Sequence, residues 1–72
     1  MNKYIVSICD IQSGEIWIEC IHARSISDCQ DKLMEKLIDL YNFEETSNYR
    51  EFVQMADSHD VLISDITDVE TL

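Results

Sequence analysis

The chain's single glycine, Gly14, lies between two runs rich in Ile, Val and Cys, at residues 4–9 and 16–21. Apolar, β-branched runs of this length on either side of a short polar segment are typical of a β-hairpin. We expect Gly14 to occupy a turn position with positive φ, which glycine adopts without steric cost. The sequence therefore predicts a fold built around an N-terminal hairpin.

Two registers of this hairpin compete. A two-residue turn at Ser13 and Gly14 pairs Cys9 with Ile18, whereas a three-residue loop with Gly14 as the bulge residue pairs Ile8 with Ile18. A slip of one residue changes which side chains share a face. We favour the three-residue loop because it gives one clean core face, formed by Tyr4, Val6, Ile8, Ile16, Ile18 and Cys20.

The second hairpin face is only half polar in this register. Its apolar members are Ile5, Cys9, Ile11, Trp17 and Ile21. Monomeric proteins seldom leave a large contiguous apolar patch in water. Either a helix or the C-terminal segment folds over this face, or it is an interface for a second copy or a partner. In the second case Ile5, Ile11, Trp17 and Ile21 form the interface with Trp17 as its anchor, since Trp is enriched at binding hot spots.

Two helices are predicted after the hairpin. Ser27 with Gln30 fits a capping box, with Ser25 as the alternative N-cap, and an apolar stripe at helical spacing extends to a stop at Asn42. Asn48 is the predicted N-cap of a shorter helix that ends near residue 58. We expect the first helix to pack on the hairpin.

Residues 60–67 form a β-branched run that predicts a third strand. If the two helices are antiparallel, this strand runs parallel to the first one, which we place in the centre of a mixed three-stranded sheet. The fold class predicted from the sequence is α+β, a ββααβ domain with its sheet packed against two helices.

The length of 72 residues allows one domain, which we assign to residues 1–72. A core of this size is close to the lower limit for a lone domain, so dimerisation would help, and we consider a homodimer. No apolar run resembles a signal peptide or a membrane span. The three cysteines are an odd number without CxxC spacing, which predicts reduced, buried and inert thiols in a cytoplasmic protein.

No catalytic, cofactor or metal signature emerges from the sequence. Residues 57–60, Asp-Ser-His-Asp, with Asp65 and Asp68 nearby, are the best metal candidate, but they lack the spacing of a calcium loop. Cys20 and His22 are too far apart along a strand for a catalytic pair. One glycine cannot form a phosphate-binding loop. We therefore expect no enzyme activity, cofactor or metal.

The net charge of −10 is unevenly spread, because residues 37–72 hold nine acids against Arg50 alone. Such a surface repels nucleic acid and anionic membranes and attracts basic protein surfaces. One explanation of this surface is that its charge keeps the protein soluble. The other is that the acids imitate the line of phosphates in nucleic acid. The predicted partner-binding residues are Glu44, Glu45, Glu51, Asp57, Asp60, Asp65, Asp68 and Glu70, and Asp39 belongs to the same acidic array.

In size and charge alone, the chain resembles the small acidic inhibitors encoded by bacteriophages and mobile elements, including anti-restriction and anti-CRISPR proteins. The resemblance implies an inhibitor or regulator that occupies the nucleic-acid-binding surface of a basic partner protein. The alternative is a structural or accessory subunit that associates through the apolar hairpin face around Trp17. Neither hypothesis involves direct binding to nucleic acid or membrane.

Overall fold

A computed structural model of the chain describes residues 1–69. Two long strands, two helices and two short strands follow one another along the chain. Their bounds are Asn2–Asp10 (β1), Glu15–Ala23 (β2), Ile26–Tyr41 (α1), Tyr49–Ser58 (α2), Val61–Ile63 (β3) and Thr67–Asp68 (β4). The predicted α+β class and the ββααβ order are confirmed, with β4 as a short addition. Neither helix in the described part of the chain is long and apolar enough to cross a membrane.

The hairpin closes through a four-residue turn at residues 11–14, so both predicted registers are wrong. Asp10 pairs with Glu15 and Ile8 pairs with Trp17. Gly14 has φ 75°, as expected, and its N–H donates to the Asp10 carbonyl at 2.8 Å. The Asp10 carboxylate also accepts from the Ser13 N–H. These bonds to Asp10 hold the longer turn, which the strand pattern alone does not reveal.

The observed register changes which β2 residues face the helices. Tyr4, Val6 and Ile8 of β1 are buried as predicted, but their β2 neighbours in the core are Ile21 and Ala23. The predicted core residues Ile16, Ile18 and Cys20 lie on the opposite face and are exposed. The assignment of β1 side chains to the core is therefore confirmed, and that of β2 side chains is wrong.

Both helices begin at side-chain caps. The Ser25 hydroxyl accepts from the Asp28 N–H at the start of α1, so the alternative cap is the observed one and Ser27 lies inside the helix. The Asn48 side chain accepts from the Glu51 N–H at the start of α2, as predicted. Asn42 ends α1 in the left-handed conformation, with φ 58°.

The sheet is antiparallel throughout, with β1 between β2 and β3 and with β4 also paired to β1. The central position of β1 is confirmed, whereas the predicted parallel third strand is wrong. Phe43, just after α1, stacks on His59 at the C-terminal end of α2, with ring centroids 5.5 Å apart. The C-terminal ends of the two helices are therefore neighbours, and the connection between them runs back along the domain. This arrangement makes α2 run in the same direction as α1. The chain reverses after α2, and β3 therefore runs antiparallel to β1.

The core lies between the sheet and the helices. Its largest fully buried side chains are Ile8, Cys29, Leu33, Leu37, Phe52 and Val61. Both helices cover the same face of the sheet, so the domain has two layers and one sheet face without a cover among the described residues. The predicted third strand is interrupted at residues 64–66, where the Ser64 hydroxyl accepts from the Ser7 N–H.

Candidate protein-binding surfaces

The outward side of α1 carries a row of carboxylates beside two half-buried apolar side chains. Asp31, Glu35 and Asp39 follow one another at intervals of four residues, which places them on one side of the helix. Met34 and Ile38 lie next to this row and also pack against the core. Their outer parts form the apolar floor of a shallow groove between the acids.

The second wall of this groove comes from the connection between the helices. Glu45 and Thr46 line the same depression as Met34 and Ile38. We call the combination of Asp31, Glu35, Asp39 and Glu45 around the Met34–Ile38 floor the acidic groove. The connection runs back beside α1, and this course brings Glu45 close to acids that precede it by up to 14 residues.

Among the described residues, the lysines of α1 make no ion pair with the carboxylates of the acidic groove, although both line a neighbouring depression with Glu35 and Asp39. Lys36 pairs with Glu19 of β2 at 2.7 Å, and Lys32 pairs with Asp28 at 3.5 Å. The Lys32 ammonium also donates to the His22 carbonyl. Both lysines therefore engage groups outside the groove, and within residues 1–69 the four groove carboxylates take part in no ion pair.

The pairing of Lys36 with Glu19 is reinforced by a third side chain. Partial burial would raise the pKa of Glu19, but hydrogen bonds from Lys36 and from the Trp17 indole hold it below its usual value. The indole N–H donates to the Glu19 carboxylate at 2.9 Å. Glu19 stays ionised at neutral pH and keeps Lys36 engaged on the side of β2.

The acids predicted as partner-binding are dispersed over the domain. Glu51 accepts from the Ser47 N–H at the start of α2, and Asp60 has a left-handed backbone and accepts from Gln12. Asp57 is exposed near the end of α2. Apart from Glu45, which lines the acidic groove, the remaining four lie in the helix connection (Glu44), between β3 and β4 (Asp65), in β4 (Asp68) and outside the described residues (Glu70).

Only Glu45 of the predicted set lines the acidic groove. Asp39 belongs to the wider predicted array, but Asp31 and Glu35 do not, because the prediction follows the excess of acids in residues 37–72 and both precede that range. These two acids are identified as unpaired within residues 1–69 only from the ion pairs of the folded protein. Lys36 pairs with Glu19 of β2, and the spacing of residues along α1 does not predict this pair.

The residues considered for metal binding do not come together among residues 1–69. No three His, Cys, Asp or Glu side chains in this part of the chain are arranged to hold a metal ion. His59 stacks on Phe43 instead. Cys9, Cys20 and Cys29 are free thiols with different exposure, and Cys20 is exposed, contrary to the prediction that all three are buried.

The apolar face of the hairpin exists, but its composition differs from the prediction. Trp17 and Ile21 point toward the helices, where Ile21 is buried and Trp17 packs against the core, so neither belongs to an exposed hairpin face. Ile11 is exposed in the turn, and Ile5 is the predicted interface residue that lies on the uncovered side.

This uncovered side is formed by alternate residues of the strands. We call it the open sheet face, and by strand pairing its members are Lys3, Ile5, Ser7, Cys9, Ile16, Ile18, Cys20, His22, Leu62 and Thr67. Ile16 and Ile18 are 73% and 67% exposed, and Leu62 is 40% exposed. The domain thus has an acidic surface on the side of α1 and an apolar surface on the opposite side of the sheet.

Comparison with known proteins returns no relative: no protein-family model matches the sequence, and neither curated proteins nor solved structures show significant similarity to it.

Proposed function

We propose that the protein is a non-enzymatic inhibitor or regulator that occupies the nucleic-acid-binding surface of a basic partner protein. The observation that carries this proposal is the acidic groove, in which four carboxylates surround an apolar floor and form no ion pair with any residue of the described range 1–69. The free thiols agree with a reducing cytoplasm as the place of action.

The spacing of the α1 acids supports mimicry of a phosphate backbone. Residues four apart on a helix are separated by about 6 Å along its axis. This is close to the roughly 7 Å between every second phosphate of one DNA strand, at 3.4 Å per nucleotide. Asp31, Glu35 and Asp39 thus present charges at intervals that Lys and Arg side chains of a nucleic-acid-binding surface can meet.

The apolar floor adds a contact that phosphates do not offer. Lys and Arg have aliphatic stems that pack on apolar surface while their charged ends remain at a carboxylate. Met34 and Ile38 are placed to receive such stems between the two acidic walls. A basic surface is therefore bound through charge and packing together, while the remaining acids of the domain steer its approach.

The first test compares two variants with the same change of charge. Asp39→Asn removes one groove carboxylate, whereas Asp57→Asn removes an exposed carboxylate of α2 outside the groove. Binding to a basic partner protein isolated from a cell lysate should weaken about two- to fivefold for Asp39→Asn at low salt. Asp57→Asn should change the affinity little. Equal effects of the two variants would show that only the net charge matters.

The second test concerns the ligand that is displaced. The affinity should fall steeply as salt rises from about 0.05 to 0.3 M, because screening weakens exposed charge pairs. The partner's own nucleic acid should compete with the protein for one site. A complex that is insensitive to salt, or one that binds nucleic acid and the protein simultaneously, would contradict the proposal.

A further inference from the structure

The open sheet face is an apolar surface that the described residues leave uncovered. Ile16 and Ile18 of β2 are each more than two-thirds exposed, and Leu62 of β3 lies on the same face. Exposed single residues are ordinary, but a contiguous apolar patch on a small soluble domain marks an interaction surface.

The charge of this face indicates what kind of partner suits it. In a chain with 15 acids, none of the strand positions on the open sheet face is Asp or Glu. Lys3 and His22 are its only ionisable side chains other than thiols, and Asp65 lies at its rim. A basic partner is steered to the acidic side of the domain instead. The open sheet face therefore suits a flat, apolar surface like itself.

The dimensions of the domain agree with such a contact. The long strands β1 and β2 have nine residues each, so this face is about 30 Å long at ~3.3 Å per residue. Across β2, β1 and β3 it is about 14 Å wide, at ~4.8 Å per strand. The contact is therefore smaller than a standard interface of ~800 Å² per partner, which suits a reversible dimer. A domain of 72 residues also buries a smaller share of its surface than larger domains do, so a shared second core adds stability.

We propose that a second copy of this chain packs on the open sheet face, giving a two-fold symmetric dimer of four layers, helix–sheet–sheet–helix. The two sheets meet face to face at about 10 Å, as in β-sandwiches, with Ile16, Ile18 and Leu62 in the new core. An isologous contact needs a self-complementary patch, and an apolar face without acids, whose Lys3 and His22 lie at one end of the strands, fulfils this condition.

The negative charge of the chain does not oppose this arrangement. The acidic grooves lie on the helix side of each protomer, so in the dimer they point outward on opposite sides. Two protomer thicknesses separate them, which is well beyond the Debye length of about 8 Å at physiological salt. This inference does not depend on the proposed function of the groove.

The test measures molecular mass in solution against concentration for three proteins. Sedimentation equilibrium of the natural sequence should show a monomer–dimer equilibrium between about 1 µM and 1 mM. Ile18→Arg should shift the dimer dissociation constant at least a hundredfold upward. Leu40→Arg is the matched control, because Leu40 is 61% exposed on α1 and its replacement introduces the same charge away from the open sheet face. It should leave the dimer intact.

A second measurement does not depend on any variant. Cys20 is exposed on the open sheet face, so its labelling by a thiol reagent should slow as the protein concentration rises through the dimer range. Three outcomes would overturn the proposal: a monomer at every concentration, a dimer that tolerates Ile18→Arg, or Cys20 labelling independent of concentration. A dimer that tolerates Ile18→Arg would be joined through another surface, such as the free edge of β2.

Discussion

Asp10 connects the hairpin turn to the end of α1. Its carboxylate accepts the Ser13 N–H at 3.2 Å and the Tyr41 hydroxyl at 2.9 Å. These hydrogen bonds, led by that from Ser13, lower the pKa of Asp10. Burial and the bond to Asp10 raise the pKa of Tyr41 to about 12. The Asp10 carboxylate therefore links the four-residue turn to the end of α1 through two hydrogen bonds.

The hydrogen bond between Tyr41 and Asp10 should stabilise the fold only between an acidic and an alkaline pH limit. The lowered pKa of Asp10 means that its contribution is present above the ordinary value of 3.8 and is lost as pH falls through the lowered value. The raised pKa of Tyr41 means that its contribution is present below 10.0 and is lost as pH rises toward about 12. Tyr41→Phe should raise the pKa of Asp10 toward its ordinary value, as measured by NMR titration of the carboxyl.

Tyr49→Phe is the control for this titration. Burial raises the pKa of Tyr49 to about 12 as well, but Tyr49 makes no hydrogen bond to Asp10. The variant Tyr49→Phe should therefore leave the pKa of Asp10 unchanged. An Asp10 pKa that is the same with Tyr41 and with Phe at this position would show that the hydrogen bond does not form in solution.

The three thiols should differ in reactivity, because the fold places them in three environments. Cys20 is exposed, Cys9 is half-buried and Cys29 is buried, where desolvation raises its thiol pKa. At low protein concentration, a thiol reagent should label Cys20 first and Cys29 last. Mass spectrometry of samples taken over time measures this order. Cys29→Ala should lower the free energy of unfolding by about 1 to 2 kcal/mol, since it removes a buried side chain. Rapid labelling of Cys29 would contradict its place in the core.

At the scale of elements, two neighbouring serines provide a matched pair. The Ser25 hydroxyl accepts the Asp28 N–H at 3.1 Å, whereas Ser27 lies inside α1. Ser25→Ala should destabilise the protein by about 1 kcal/mol, which is typical for loss of an N-cap. Ser27→Ala should stay within about 0.5 kcal/mol. Urea unfolding distinguishes them, and equal losses would refute the cap assignment.

The sequence predicts the caps Asn42 and Asn48 and the existence of the hairpin, because local side-chain chemistry determines these features. It does not predict the register, because β2 is apolar on both faces. Ile16 and Ile18 are as suitable for a core as Trp17 and Ile21. The choice depends on the turn bonds of Asp10 and on which face the helices cover, and both are tertiary effects.

At the scale of the molecule, the direction of α2 determines two features: the antiparallel pairing of β3 with β1, and the position of the acidic groove. Helices joined by a short loop are usually antiparallel, but here the connection packs Phe43 against Phe52 and His59 and runs back along α1. That course makes β3 antiparallel to β1 and brings Glu45 to the acids of α1. Charge composition indicates an acidic protein correctly, whereas the location of its groove requires the path of this connection.

The proposed function requires that basic surfaces bind at the acidic groove. The most direct measurement is an NMR titration of the isotope-labelled protein with an amphipathic peptide in which Arg residues alternate with Leu. We expect saturable shifts concentrated in the acidic groove, at Asp31, Glu35, Asp39, Glu45 and the methyl groups of Met34 and Ile38. Shifts spread evenly over all exposed acids, including Asp57 and Asp65, or shifts confined to the open sheet face, would contradict it.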